Sequence, residues 1–441
     1  MSTLRVINAT ILPLAGGSDV ITDGELVAED GEIVYVGPRR DMPQEADEII
    51  DAAGDCMLPG FVNAHTHAAM TLLRGFADDL PLQTWLQDRI WPIEENLVED
   101  DVYWGTMLGA VEMLAAGITC YCDMYHYFQA GTRAAIDSGM RVRPSGVLLQ
   151  FSDDPEALMQ EAFEFTIAMK TESPDRIMPV LGPHAAYSCT DEMLKKVASV
   201  AREHDLPVHI HISETAQEVS DILDETGMRP VEYLDTVGIL DTRLIGVHCV
   251  HLSDHEIERL VETDSGVVHC PTSNMKLASG FAPVREFVRA DANIGLGTDG
   301  AASNNRLDIQ REASLAALIH KGYLDDSTAL SAEQTLTMAT VGGARALHID
   351  HLVGSLEVGK RADFILLSLE APHNRPLHNI CSQIIYAANA RDVWCTVVDG
   401  EVLYRNGEYP QLDAEKIIAH AEECAERLIG DYSRSQQQAS T

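Results

Sequence analysis

Two kinds of hydrophobic spacing divide the chain. Up to about residue 58, short apolar runs alternate with turn residues: Arg5 to Leu12, Gly24 to Ala28 and Ile33 to Val36. Asp30-Gly31 separates two of them, and this dipeptide between apolar runs predicts a tight hairpin. The same style returns near the C-terminus, where Ala362 to Leu367 reads as a strand and Asp399-Gly400 separates Val393 to Val398 from Glu401 to Tyr404. Between these ends the pattern changes. Runs of strand length recur at Phe61 to His67, Ile118 to Tyr125, Arg141 to Leu149, Ile177 to Ala185, Pro207 to Glu214, Leu244 to Val250, Gly266 to Ser273 and Ala292 to Gly300. They are apolar at nearly every position, as strands covered on both faces are. Segments of helical period, such as Asp101 to Ala116 and Ala313 to Lys321, lie between them.

Strand and helix in alternation predict parallel strands with crossover helices, and eight is the number that closes a (β/α)8 TIM barrel. The predicted fold is therefore α/β, with the barrel over residues 59–355. It is inserted in a small β-sandwich domain built from both chain ends, residues 1–58 and 356–441. Ala414 to Ile429 predicts a closing helix, and Gln436-Gln437-Gln438 a disordered tail.

Composition narrows the function classes. The 441 residues are 46% hydrophobic and 23% charged, enough for a large core. No apolar run reaches the ~18 residues of a spanning helix. Met1-Ser2-Thr3-Leu4-Arg5 lacks the features of a signal peptide, so the expectation is a cytoplasmic protein with no membrane partner. Asp plus Glu number 69 against 31 Lys plus Arg, a formal charge of -38 that repels nucleic acid. The same balance suits a high-salt habitat. The nine cysteines show no C-x-x-C spacing and read as small buried hydrophobes of a reducing compartment. A small-molecule ligand is the expected partner, in a monomer or a homo-oligomer.

In a parallel barrel the reactive groups stand at the C-terminal ends of the strands. The first run ends in His65 and His67, the fourth in His184, and the fifth in His209, His211 and Glu214. The sixth reaches His248, the seventh carries His269, and the eighth reaches Asp299. Residues i and i+2 share a strand face, so His65 and His67 can reach one ion. His211 adds a third nitrogen and Asp299 an oxygen. Such a donor set suits one divalent ion, Zn²⁺ first, with Fe²⁺ or Mn²⁺ as alternatives. His209 reads as a buried histidine or as a support for a ligand. The fourth run lacks a lysine to bridge two ions, which favours a single one.

These motifs resemble a known family. Pro59-Gly60-Phe61-Val62-Asn63-Ala64-His65-Thr66-His67 resembles the first strand of the amidohydrolase superfamily, and Leu296-Gly297-Thr298-Asp299-Gly300 its eighth. Trp91-Pro92-Ile93-Glu94-Glu95, Gly182-Pro183-His184, His211-Ile212-Ser213-Glu214-Thr215 and His269-Cys270-Pro271-Thr272-Ser273-Asn274 resemble the 5-methylthioadenosine/S-adenosylhomocysteine deaminases within it. The resemblance implies a metal-dependent hydrolytic deaminase. Its substrate would be an adenine nucleoside: 5′-methylthioadenosine, 5′-deoxyadenosine, adenosine or S-adenosylhomocysteine. It assigns the metal to His65, His67, His211 and Asp299. It also assigns nucleoside binding to Glu94 and His184, the acid beside purine N1 to Glu214, and the residue that holds the attacking water to His248. Asp299 would also carry protons and touch substrate. One departure stands out. Better-known members carry arginines after the third strand, near the amino-acid tail of S-adenosylhomocysteine. Here Gly146 to Pro155 has none, and Arg143 is displaced, which favours the smaller 5′ substituents. The rival readings are another amidohydrolase, such as a triazine chlorohydrolase or guanine deaminase, and a non-catalytic barrel.

Overall fold

The structure, a computed structural model, describes residues 2–16, 20–41, 46–172 and 175–439. Eight strands form two four-stranded parallel sheets. The first holds Phe61–Thr66, Ile118–Tyr125, Arg141–Leu148 and Gly182–Pro183 in that order. The second holds Val208–Ile212, Leu244–His248, Gly266–His269 and Asn293–Leu296. Bridges Leu181–Val208 and Ala185–His211 join them at one seam. At the other, the Asp299 amide donates to the His65 carbonyl at 3.0 Å. The α/β barrel expected from the alternation is thus present, with most side chains of its strands buried. The fourth strand is the weak one. Pro179 and Pro183 lack the amide proton that a ladder needs, so regular pairing shrinks to Gly182–Pro183 plus isolated bridges at Ile177, Leu181 and Ala185.

Strands from both chain ends make one further sheet of eight strands, seven on one hydrogen-bonded path and Glu48–Asp51 off it, paired in parallel with Thr3–Ile11. Cys56–Pro59 pairs in parallel with Thr3–Ile11 and antiparallel with Phe364–Leu367, which ties the two ends together. Leu4, Val6, Ile11, Leu26, Ile50, Phe364, Leu366 and Val397 share its apolar core. Both anticipated hairpins form: Glu29 pairs with Glu32, and Val398 with Glu401. Asp30-Gly31 and Asp399-Gly400 all take positive φ, the two-residue turn whose twist matches the strands.

Arg141, fully buried at the start of the third barrel strand, is held between Asp363 and Asp399. Its Nε and Nη2 donate to the two Asp363 oxygens at 2.8 and 3.0 Å, and Nη2 donates to Asp399 Oδ1 at 2.6 Å. The guanidinium therefore links the barrel to the end-derived sheet. Removing one partner of a buried ion pair strands the other charge in a medium that solvates it poorly. Arg141→Met is expected to lower the unfolding free energy by about 3–5 kcal/mol. A urea midpoint measured at unchanged slope reads this loss, and an unshifted midpoint would refute it.

The closing helix, Ala414–Ala439, extends past the predicted end, so the Gln436-Gln437-Gln438 run is helical and not a disordered tail. Leu428 and Tyr432 explain the extension, because both bury against the segment that follows the first barrel strand. The Tyr432 ring meets Phe76 edge-on at 5.5 Å, and its hydroxyl donates to the Asp88 carbonyl at 3.2 Å. Arg427 donates to the Asn96 carbonyl at 3.3 Å and pairs with buried Asp101. Among the described residues, no helix is long and apolar enough to cross a membrane.

Candidate active site

The strand ends converge on one buried cluster. His65, His67 and His211 each offer a ring nitrogen, and these atoms all lie within 4.8 Å of one another. The Nε2 atoms of His65 and His211 are 3.3 Å apart. Asp299 Oδ1 lies 3.4 Å from His65 Nε2 and 3.2 Å from His67 Nε2. Donor atoms at about 2.0–2.1 Å from a tetrahedral ion stand about 3.3 Å apart, so the spacing matches a divalent cation. The orientation fits as well. His67 and His211 direct Nδ1 at the carbonyls of Met124 and His184, each at 2.6 Å, which leaves Nε2 free to coordinate. His269 does not join the cluster; its Nε2 meets His320 Nε2 at 3.2 Å.

Charges in the cluster are interdependent. Burial disfavours ionised Asp299, yet the His65 and His67 imidazoles beside it hold its carboxyl well below the usual range. Burial likewise opposes charge on His67, but the Asp299 carboxylate outweighs it and raises this imidazole to about 9. His65, buried deeper, is pushed down to about 4. Asp299 is also locked in place. Its Oδ2 accepts from Ser273 and Ser303 at 2.6 and 2.8 Å, and its Oδ1 from the Gly300 amide at 2.8 Å.

His248 and Glu214 face the same cavity. His248 Nδ1 lies 2.9 Å from Asn274 Oδ1, which can only accept, so the proton is on Nδ1 and Nε2 presents a lone pair. That lone pair sits 3.8 Å from Glu214 Oε2. Glu214 Oε1 accepts from Ser279 at 3.0 Å, and burial raises its carboxyl above the ordinary value. Glu218 lies behind it and accepts the amides of Ser213 and Glu214 at 2.8 and 2.7 Å. Ser213, His248 and Asp299 all leave their strands with left-handed backbone, φ 50°, 67° and 59°. Such residues carry about 1–3 kcal/mol of strain each and are enriched where a side chain must be aimed.

A cavity opens over the cluster. Leu82, Trp85, Leu86, Ile90 and Trp91 line one side, all from the segment after the first strand. Leu86–Ile90 is a turn of π-helix, a wide turn often found beside binding sites. Glu94 closes this segment. Its Oε1 accepts from Tyr125 at 2.7 Å, and only 7% of its side chain is exposed. His184 stands opposite, its ring 4.8 Å from that of His211 and its Nδ1 paired with Ser188 at 2.8 Å. Burial and the neighbouring imidazoles lower it to about 3, which keeps the ring neutral.

Spacing along the chain does not reveal the residues that support this set. Ser273, Asn274 and Ser279 lie within the quoted His269 motif or just beyond it, so a signal was present, but nothing in the sequence pairs them with Asp299, His248 and Glu214. Trp85 carried no signal. Its indole nitrogen, in the cavity wall, is buried without a hydrogen-bond partner among the described residues, a donor of the kind that a ligand acceptor satisfies. Arg143 donates to the Leu347 carbonyl, its buried Nε has no hydrogen-bond partner among the described residues, and it does not line the cavity.

Known proteins resemble this chain over nearly its whole length. The model of the amidohydrolase family matches residues 56–403. The chain belongs to the amidohydrolase family. Among curated relatives of this amidohydrolase, the 5-methylthioadenosine/S-adenosylhomocysteine deaminase of Pelotomaculum thermopropionicum is 42% identical over 97% of this chain and 99% of its own. The 5′-deoxyadenosine deaminase of Methanothermobacter thermautotrophicus is 44% identical, covering 94% and 96%. Among solved structures, an adenosine deaminase from Xanthomonas campestris with bound zinc superposes with a TM-score of 0.94 at 37% identity, covering 97% of this chain and 99% of that one.

Proposed function

We propose that this amidohydrolase hydrolytically deaminates adenine nucleosides, yielding the inosine analogue and ammonia. The observation that carries the reading is the meeting of Glu214, His248 and Asp299 around one cavity beside three converging imidazoles. The names of the relatives above support the substrate class. His65, His67, His211 and Asp299 would hold one divalent ion, and zinc is favoured by the donor set and by the zinc-bound neighbour. The ion would supply Lewis acidity to the site. His248 Nε2 and Asp299 hold the attacking water and accept its proton. Glu214, whose carboxyl burial shifts toward the protonated form, gives its proton to purine N1 and makes C6 electrophilic. Asp299 then returns a proton to the departing amino group. Glu94 Oε2, the oxygen not bonded to Tyr125, receives the ribose hydroxyls, and neutral His184 binds beside it.

The far end of the nucleoside meets an acidic chamber. Beyond Glu94 the cleft widens between Glu95, Glu99, Asp153, Asp154 and Glu161, and among the described residues its lining holds neither Lys nor Arg. A carboxylate tail would find repulsion where a charge-assisted hydrogen bond, worth about 1.5–3 kcal/mol, is needed. Adenosine, 5′-deoxyadenosine and 5′-methylthioadenosine are therefore expected to react with kcat/KM roughly tenfold or more above S-adenosylhomocysteine. An ultraviolet assay of adenine-to-hypoxanthine conversion on the four substrates tests this. Equal or best activity on S-adenosylhomocysteine would overturn the substrate order, and no activity on any would overturn the function.

A further inference from the structure

We infer that His209 and Cys122 are positioning residues for His65, acting through a two-bond relay that decides which nitrogen of His65 is free to coordinate. The inference rests on the metal reading proposed above. His67 and His211 are each supported by a carbonyl, which can only accept, so their protons are fixed on Nδ1. His65 has no such support. Its Nδ1 lies 3.0 Å from Nε2 of His209, a group that can donate or accept. For His65 Nε2 to present a lone pair toward Asp299 and His211, His65 Nδ1 must donate and His209 Nε2 must accept. The proton of His209 then sits on its Nδ1, which lies 3.5 Å from Cys122 Sγ. The thiol sulfur completes the relay as an acceptor. His65, His209 and Cys122 are all fully buried.

The relay has a consequence that a carbonyl support lacks. If His209 held its proton on Nε2, two N–H groups would face each other, or the proton of His65 would move to Nε2 and block coordination. Cys122 opposes that state by giving the His209 Nδ1 proton a partner. A leucine at 209 would leave the His65 Nδ1 proton unpaired in the interior. A glutamine would still offer an oxygen to it.

The test is zinc affinity by chelator competition on the full-length protein, with circular dichroism of the metal-free form as the folding control. His209→Leu is expected to weaken zinc binding about 10–100-fold, the usual cost of removing a ligand's support, while His209→Gln recovers most of it. Cys122→Val should weaken binding in the same direction and Cys122→Ser, which keeps an acceptor, should not. Wild-type affinity in His209→Leu would overturn the relay. Equal loss in His209→Leu and His209→Gln would also overturn it, because packing and not hydrogen bonding would then matter. If the His209 variants do not fold, the Cys122 pair decides: equal affinities in Val and Ser overturn the relay. Zinc affinity is read without substrate, so failure to deaminate adenosine strikes the proposed function alone.

Discussion

Asp299→Asn is expected to lower kcat for adenosine by roughly 10²–10⁴-fold and to weaken the hold on zinc. The amide matches the carboxylate in shape, so packing is preserved and chemistry alone changes. Its orientation follows from its neighbours. Oδ1 accepts from the Gly300 amide, which cannot accept in return, whereas the Ser273 and Ser303 hydroxyls at Oδ2 can reverse their roles. The NH₂ therefore settles toward the serines and the amide oxygen toward His65 and His67. What is lost is the negative charge between those rings and the capacity to take and return a proton. Metal analysis alongside a single-turnover ultraviolet assay separates the two losses. A variant with full zinc and full rate would remove Asp299 from the proposed chemistry.

Glu214→Gln is the second large effect, also expected at roughly 10²–10⁴-fold in kcat. The amide keeps the hydrogen bond to Ser279 and can still approach N1, but it has no transferable acid proton. The loss should fall on kcat more than on KM, because the interaction strengthens only as N1 gains its proton. The pH profile carries a further sign. Burial raises the Glu214 carboxyl above 4.5, so the protonated form persists to higher pH than for an exposed glutamate. Activity that needs this proton is present below the raised value and falls as pH rises through it. The stability it contributes follows the same direction, complete below the unfolded value and lost as pH climbs past the folded one. The wild-type enzyme should lose rate on the alkaline side with a limb that Glu214→Gln lacks. An identical alkaline limb in both proteins would assign that titration elsewhere.

Much of this architecture was legible because its determinants are local. Strand length, near-continuous apolarity and the two Asp-Gly turns belong to short windows, and they recovered the eight strands and both hairpins. The fourth strand blurred for a local reason too, since two prolines remove ladder donors while leaving the apolar run intact. His65 and His67 were readable because a strand repeats every two residues. The partners of the site were not readable in this way. Ser273 to Asp299, Asn274 to His248 and Tyr125 to Glu94 are contacts between separate barrel strands and loops, and no spacing rule connects them. The same holds for the last turns of the closing helix. Polar Gln436 to Gln438 suggested a frayed end, whereas anchoring of Leu428 and Tyr432 some residues earlier carries the helix onward.

That anchoring bears on how the protein should be handled at the bench. The helix that grips Phe76, Asp88 and Asn96 holds the same stretch that supplies Trp85, Trp91 and Glu94 to the cavity. Trimming the C-terminus to aid crystallisation, or fusing a bulky affinity handle there, would disturb the ligand-facing wall from behind. An activity measured on such material could understate the native enzyme without any change in its metal cluster. Purification handles therefore belong at the other end of the chain, on the sheet that stands apart from the mouth of the barrel.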